Sequence, residues 1–399
     1  MHMRQWLNLS HISTGFVVVL VGYSSSAIIV FQAAAAAGAT AAELSSWLWA
    51  LGIGMGATSI GLSLYYKKPV VTAWSTPGAA LLVTAMAGLN MQQAVGVFIF
   101  SSGLIALCGL TGWFNLIMRQ VPVPLAAAML GGVLLNFGLD LFLAAQTSFW
   151  LVITMLGSYL LLKPVLPRYC IPLVLCIGIA GCGLAGELAW QGVELQLAMP
   201  LFIMPEFNLT ALIGVGIPLF VVTMASQNVP GVAVIRANGY DTPVSPLIST
   251  TGLAGVVLAP LGGFSYCLAA ITAAICMSEE ADPDAAQRYR SSVWAGVFYV
   301  LAGIFGATVA ALFAAFPQAL IMSIAGLALL STIANSLSAA FSEDSQREAA
   351  MLTFLMTASG VSLLGISSAF WGLLLGLLAY HSPKLRKLGR PAVTGAGIR

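Results

Sequence analysis

The chain has 399 residues, of which 59% are hydrophobic and only 7% charged, and its formal net charge is +2. Soluble domains carry about 25% charged residues, so water is excluded as the main solvent. The apolar residues come in runs of about 20, the length a helix needs to cross a hydrocarbon core of roughly 30 Å.

In chain order the runs cover residues 14–37, 44–65, 69–88, 91–115, 122–142, 146–162 and 169–190, then 210–235, 243–261, 263–278, 291–314, 318–338, 347–365 and 367–382. The first run, with the small residues Ala33 to Gly38 behind it, imitates a signal peptide. It is longer than a usual signal core, so it is expected to stay as a span. Cys108, Cys170, Cys176, Cys182, Cys267 and Cys276 lie in or beside apolar runs without C-x-x-C spacing, which argues against a disulfide framework or zinc site.

Lys and Arg concentrate in cytoplasmic loops. With a cytoplasmic N-terminus and 14 spans, all fifteen basic residues, from Arg4, Lys67 and Lys68 to the tail set ending at Arg399, fall in alternate loops. The opposite loops hold only Glu43, Asp140, Glu187, Glu194 and Glu206. Most tryptophans lie near the ends of the runs, as interfacial rings do; Trp74 is the exception. Seven spans per half means that a second copy of the unit enters the membrane inverted, an arrangement common among secondary transporters. The polar cluster Tyr23 to Ser26 in the first run and Ser226, Gln227 and Asn228 in the eighth hint at such a copy.

The third and tenth runs open on residues that resist helix formation. Pro69, Val70, Val71 and Thr72 favour extended backbone, and Pro77 suits the first turn of a helix that starts near Ser75 or Thr76. In the tenth, Gly262 to Tyr266 are expected to run extended before a helix over Cys267 to Met277. Two helix N-termini would then meet near the bilayer middle, a site for a small anion. The alternative is that Pro77 and Gly262–Gly263 merely kink continuous spans.

No Asp, Glu, Lys, Arg or His falls in the central part of a span. This absence removes acid–base, metal and Ser–His chemistry, and no enzyme, cofactor or metal is expected. The polar residues at depth are neutral: Tyr23 to Ser26, Gln32, Thr72, Ser75, Thr76, Thr223, Ser226 to Asn228, Ser265, Tyr266 and Thr272. Thr353 and Ser362 read as helix packing.

The strings TAWSTPGAAL from Thr72, TMASQNVPG from Thr223 and AAITAAIC from Ala269 closely resemble the benzoate transporter family, BenE, over nearly the whole chain. The resemblance implies a benzoate/proton symporter of the bacterial inner membrane, on the uracil-permease and sulfate-transporter fold. That fold is an all-α membrane protein of 14 segments in a 7+7 inverted repeat, with short strands in spans 3 and 10. It also implies a core domain (12–115 and 205–314), a gate domain (116–204 and 315–385) and a cytoplasmic tail (386–399). The substrate would lie against Tyr23, Ser24, Trp74, Ser75, Thr76, Gln227, Asn228, Phe264, Ser265, Tyr266, Cys267 and Leu268. The expected partners are a benzoate-like anion, H+ and the lipid bilayer, with a homodimer possible and no nucleic acid. Proton-coupled nucleobase members of the wider fold carry a glutamate on span 8, where this chain has Ser226, Gln227 and Asn228. The proton route stays open between benzoate itself, a water or tyrosine relay, and weaker coupling.

An aromatic monocarboxylate needs one weakly positive locus and an apolar slot, which the helix ends and Trp74, Phe264 and Tyr23 supply. A nucleobase would more naturally meet a buried acid, and sulfate a nearby Arg or Lys. Benzoate or a similar acid leads; another small organic anion or a nucleobase is the alternative.

Overall fold

The computed structural model describes residues 8–112, 122–167, 169–190, 193–361, 363–364 and 366–388. Arg4, Arg119, Arg168 and Ser362, the side chains of Ser25 and of residues 382–388, and the tail beyond residue 388 lie outside that set.

The helices follow the apolar runs. In order they are α1 (Leu9–Ala36), α2 (Ala41–Tyr66), α3 (Thr76–Ala85), α4 (Met91–Leu110), α5 (Val123–Leu143), α6 (Phe149–Val165) and α7 (Cys170–Ala185). The second half gives α8 (Leu209–Arg236), α9 (Val244–Leu258), α10 (Ile271–Met277), α11 (Tyr289–Ile304), α12 (Gly306–Ala314), α13 (Gln318–Ala340), α14 (Arg347–Ala358) and α15 (Ser368–Leu388). Two strands, β1 (Thr72–Trp74) and β2 (Tyr266–Leu268), precede α3 and α10. Among the described residues, α2, α4, α5, α8, α9 and α13 are long and apolar enough to cross a membrane. Capping boxes start two of these, Thr40 with Glu43 on α2 and Asn90 with Gln93 on α4.

The structure departs from the sequence reading at three places. The tenth run stays extended through Leu268, so Cys267 and Leu268 belong to a strand and not to a helix start; pairing with β1 fixes their backbone. The run 291–314 is two helices bent by 68° at Phe305, not one. Gly303 and Gly306 lie on either side of the bend, and a Cβ on Gly303 would sit 3.0 Å from the Gly52 Cα of α2. Helix α8 contains two wide turns with π-helical bonding, Leu212–Gly216 and Met224–Asn228.

The helices pack in two sets. In the first, α2 lies against α11 and α12, α4 against α9, and α1 against α3 and α11. In the second, α5 lies against α13 and α14, α14 against α15, and α6 against α7. Helix α1 touches α7 and α13 across the boundary, as α3 touches α5. Backbones approach closely where side chains vanish, as small residues allow in membranes: a Cβ on Gly252 of α9 would lie 2.3 Å from the Ala106 nitrogen of α4.

The chain from α7 to α8 has no regular structure over 193–208, yet it is pinned at intervals to the first set. Ala189 N–H donates to the Ala315 carbonyl (3.1 Å), Ala198 to Ile304 (2.8 Å), Ile203 to Pro260 (2.7 Å) and Glu206 to Gln92 (2.9 Å). Ser46 Oγ accepts from Leu201 N–H at 2.8 Å. At the start of α1, buried His11 places Nε2 2.7 Å from Asp282 Oδ2, which ties α1 to the loop after α10.

A hydroxyl knot fastens β1 to α2. Thr72 Oγ1 lies 2.6 Å from Thr58 Oγ1, 2.9 Å from Ser59 Oγ and 2.9 Å from the Met55 carbonyl, with all three side chains buried. Thr72→Val keeps the shape and removes the hydroxyl that links Thr58, Ser59 and the Met55 carbonyl. It is expected to cost about 1–3 kcal/mol, read as a lower unfolding midpoint in detergent, while Thr353→Val, whose hydroxyl bonds only its own helix at Ala349, shifts it less.

Candidate functional site

Strands β1 and β2 pair antiparallel, with Thr72 opposite Leu268, Ala73 opposite Cys267 and Trp74 opposite Tyr266. The ladder continues outward through Ser75 N–H to the Ser265 carbonyl (3.0 Å) and Ala269 N–H to the Val71 carbonyl (2.9 Å). Because each strand runs directly into a helix, the crossing sets the N-termini of α3 and α10 beside the same two-stranded ribbon. Ser75 caps α3, its Oγ accepting from Gly78 N–H at 3.0 Å, with Pro77 in the first turn; this is the start the sequence predicts. The α10 start has Ala270 at its cap position and no side-chain cap.

Helix α8 runs past both starts. A Cβ on Gly78 would sit 2.9 Å from Leu219 Cδ1, and one on Gly231 would sit 2.6 Å from Leu268 Cβ. Asn228, fully buried in the second wide turn of α8, accepts from Leu268 N–H at 2.9 Å and donates to Met224 Sδ at 3.1 Å. Its neighbour Gln227 is half-buried, and its amide makes no hydrogen bond among the described residues. The hydroxyl of Thr223, one turn earlier, is buried without a partner.

On the α1 side, Trp74 is buried, donates its indole N–H to Ser26 Oγ at 2.9 Å, and meets the Tyr23 ring edge-on at 4.9 Å. Tyr23 in turn lies 6.3 Å from Tyr299 of α11, and its buried hydroxyl has no hydrogen-bond partner among the described residues. Tyr299 is the site neighbour that sequence reasoning missed. Nothing distinguishes a tyrosine inside the apolar run 291–314 until α11 is packed against α1.

The sequence-expected residues therefore fall into groups. Tyr23, Trp74, Ser75, Thr76 and Gln227 surround the ribbon and the α3 start. Asn228, Ser265, Cys267 and Leu268 are fully buried parts of the ribbon's support, with Cys267 Sγ 3.4 Å from the Ala73 carbonyl. Ser265 holds a left-handed φ of 43°, and its buried hydroxyl has no partner. Phe264 packs with Trp47 and Phe98 behind the ribbon, and Tyr266 donates its hydroxyl to the Ala50 carbonyl at 2.7 Å, so both rings point into α2 and α4. Ser24 turns away: its hydroxyl bonds the Leu20 carbonyl at 2.6 Å, and it lines an apolar cavity of about 280 Å³ with Tyr169, Leu173 and Cys176 of α7 and its approach. Among the described residues no cluster of three or more His, Cys, Asp or Glu could hold a metal ion.

Half-helices that start from a crossed ribbon, flanked by a helix with neutral polar residues, define a membrane transporter. The sequence matches the family described as benzoate membrane transport protein, BenE, over residues 5–382, and the chain belongs to that family of multi-pass membrane proteins. It is 50% identical to inner membrane protein YdcO of Escherichia coli (strain K12), covering 92% of this chain and 94% of that protein. It is 41% identical to the benzoate membrane transport protein of Acinetobacter baylyi (strain ATCC 33305 / BD413 / ADP1), covering 95% and 96%. The fold is similar to the transmembrane domain of the cyanobacterial bicarbonate transporter BicA, with TM-score 0.61 and 15% identity over 95% of this chain and 98% of that one. It is also similar to SLC26A9, with TM-score 0.56 and 12% identity over 93% and 65%. The family and the Acinetobacter relative are membrane transport proteins, and the chain is accordingly a transporter and not an enzyme.

The geometry separates two neighbouring amides. Asn228→Ala removes the acceptor of a buried strand N–H and is expected to cost about 1–3 kcal/mol, whereas Gln227→Ala is expected to stay within about 0.5 kcal/mol of the parent. Thermal unfolding of the two purified variants checks this, and equal losses would place Gln227 in the support as well.

Proposed function

We propose that this chain is a secondary transporter of benzoate or a similar aromatic carboxylate across the bacterial inner membrane, coupled to protons and working by alternating access. The observation that carries the reading is the β1–β2 ribbon, on which α8 converges, packing Leu219 on the α3 start at Gly78 and bonding the wide turn of Gln227 and Asn228 to β2 at Leu268. Family membership and the Acinetobacter relative's name support the substrate. A carboxylate accepts hydrogen bonds from a helix start and an amide, and the positive end of the α3 dipole favours its charge without Lys or Arg. The Tyr23 and Trp74 rings, edge-on at 4.9 Å, give an aromatic substrate an apolar wall. The fold's likeness to a bicarbonate transporter is in keeping with an anion as cargo.

In this reading the 14 segments form two inverted sets of seven, and both termini are cytoplasmic. The helices of the first packed set, in the range 12–115 with 205–314, are a core that carries the anion; those of the second, in the range 116–204 with 315–385, are the gate it moves against, and the connecting chain over 198–203 is bonded to the core side. The proton travels with benzoate or through a relay that includes the unpartnered Tyr23 hydroxyl. Gln227 offers both a donor and an acceptor, which is what favours a nucleobase as the second reading.

Calorimetry with benzoate, uracil and sulfate on the purified protein separates these readings. Benzoic acid leaks through lipid, so binding precedes uptake as the test. Saturable heat is expected for benzoate alone, weakened about tenfold in Gln227→Ala, as loss of one hydrogen bond to a charged group predicts. Heat with uracil or sulfate and none with benzoate would overturn the substrate.

A further inference from the structure

The first wide turn of α8, Leu212–Gly216, lies away from the ribbon and meets the connection between α14 and α15. In π-helical bonding the inserted residue disturbs the regular i→i−4 ladder and leaves a carbonyl for another donor. The Gly214 carbonyl takes its donor from the other packed set, the Ser367 hydroxyl. The approach is close enough to need a glycine, since a Cβ on Gly214 would lie 3.0 Å from Ile366 Cα and 3.2 Å from Ile366 Cγ2. The connection is shaped for this contact: Leu363 and Ile366 exchange backbone hydrogen bonds (3.1 and 3.0 Å), and Gly360 and Leu364 hold left-handed φ of 65° and 56°.

Beside this contact is a cleft of about 100 Å³. Its mouth is exposed at Thr84, Ala87 and Gly360, and its floor is buried at Leu81, Val215 and Ala369. Leu81 is five residues along α3 from Thr76, which is about 7–8 Å of helix. The cleft therefore points down α3 toward the ribbon and stops short of it. It is also smaller than the roughly 300 Å³ at which small-molecule pockets begin.

We infer that this cleft is one mouth of the substrate path, and that Ile366 and Ser367 docked on Gly214 form the gate that closes it. The inference rests on the alternating-access reading above. Closing satisfies the Gly214 carbonyl with a hydroxyl from the second set. Opening hands that carbonyl to water, so entry of water and parting of the two sets occur together.

A thiol reporter tests this without relying on any substrate. Val215, buried in the cleft floor, becomes the reporter in Val215→Cys, with the exposed Cys176 replaced in Cys176→Ser; the other native cysteines are buried. Maleimide labelling of the purified protein is expected to be slow in this parent. Adding Ser367→Ala is expected to raise the rate about tenfold, the factor that corresponds to the net worth of one hydrogen bond. Gly214→Leu, which wedges against Ile366, should raise it at least as far; if that variant does not fold, Ser367→Ala carries the comparison alone. Fast labelling in the parent, or one slow rate in all variants, overturns the gate. Variant effects with no response to saturating benzoate uphold the gate and count against the substrate.

Discussion

The structure depends on one backbone exchange. A membrane interior offers no water to an unwound chain, so every N–H and C=O left by a broken helix must find a partner in protein. Here two breaks supply each other: β1 and β2 pair over three residues, and Ser75 and Ala269 extend the ladder at either end. The remaining edges are met by side chains, with Ser59 accepting from Thr72 N–H on one strand and Asn228 from Leu268 N–H on the other. Neither half of the chain can make this ribbon alone.

Helix α8 extends the same logic along the molecule. Its two wide turns are places where the helix lends a group to a neighbour: Asn228 to the ribbon, and the Gly214 carbonyl to the α14–α15 connection. One continuous element thus joins the ribbon to the contact with the second set of helices. Gln227 sits in the inner wide turn next to the fully buried Asn228, half-buried and without a hydrogen bond among the described residues.

Much of this was legible in the residues. Pro77 after Ser75 and Thr76 marks the α3 start, because proline fits only the first turn and serine is a strong cap. Val70, Val71 and Thr72 mark the strand before it. The second strand was harder to place, since Tyr266, Cys267 and Leu268 have no strong preference and only the partner strand and Asn228 decide their conformation. The wide turns of α8 and the bend at Phe305 had no local signal of the same strength, for both answer to packing against distant helices. Side-chain direction was the least legible part. Phe264 and Tyr266 lie beside Trp74 in the chain's crossing, yet the first ring packs on Trp47 and Phe98 and the second reaches Ala50 of α2, and the direction of a side chain from a short twisted strand is a tertiary fact.

The hydrogen bond from Ala189 to Ala315 has a mechanical meaning. It joins two crossovers, because the chain passes from the second set to the first between α7 and Ala189, and back again between Ala315 and α13. Between the end of α7 at Ala185 and the bonded Ala189 lie Gly186, Glu187 and Leu188, whose fully extended reach is about 10 Å. At that corner the two sets of helices are held together on a short tether. Any displacement of one set of helices against the other is limited at that corner to about the length of this tether, whatever the rest of the molecule does.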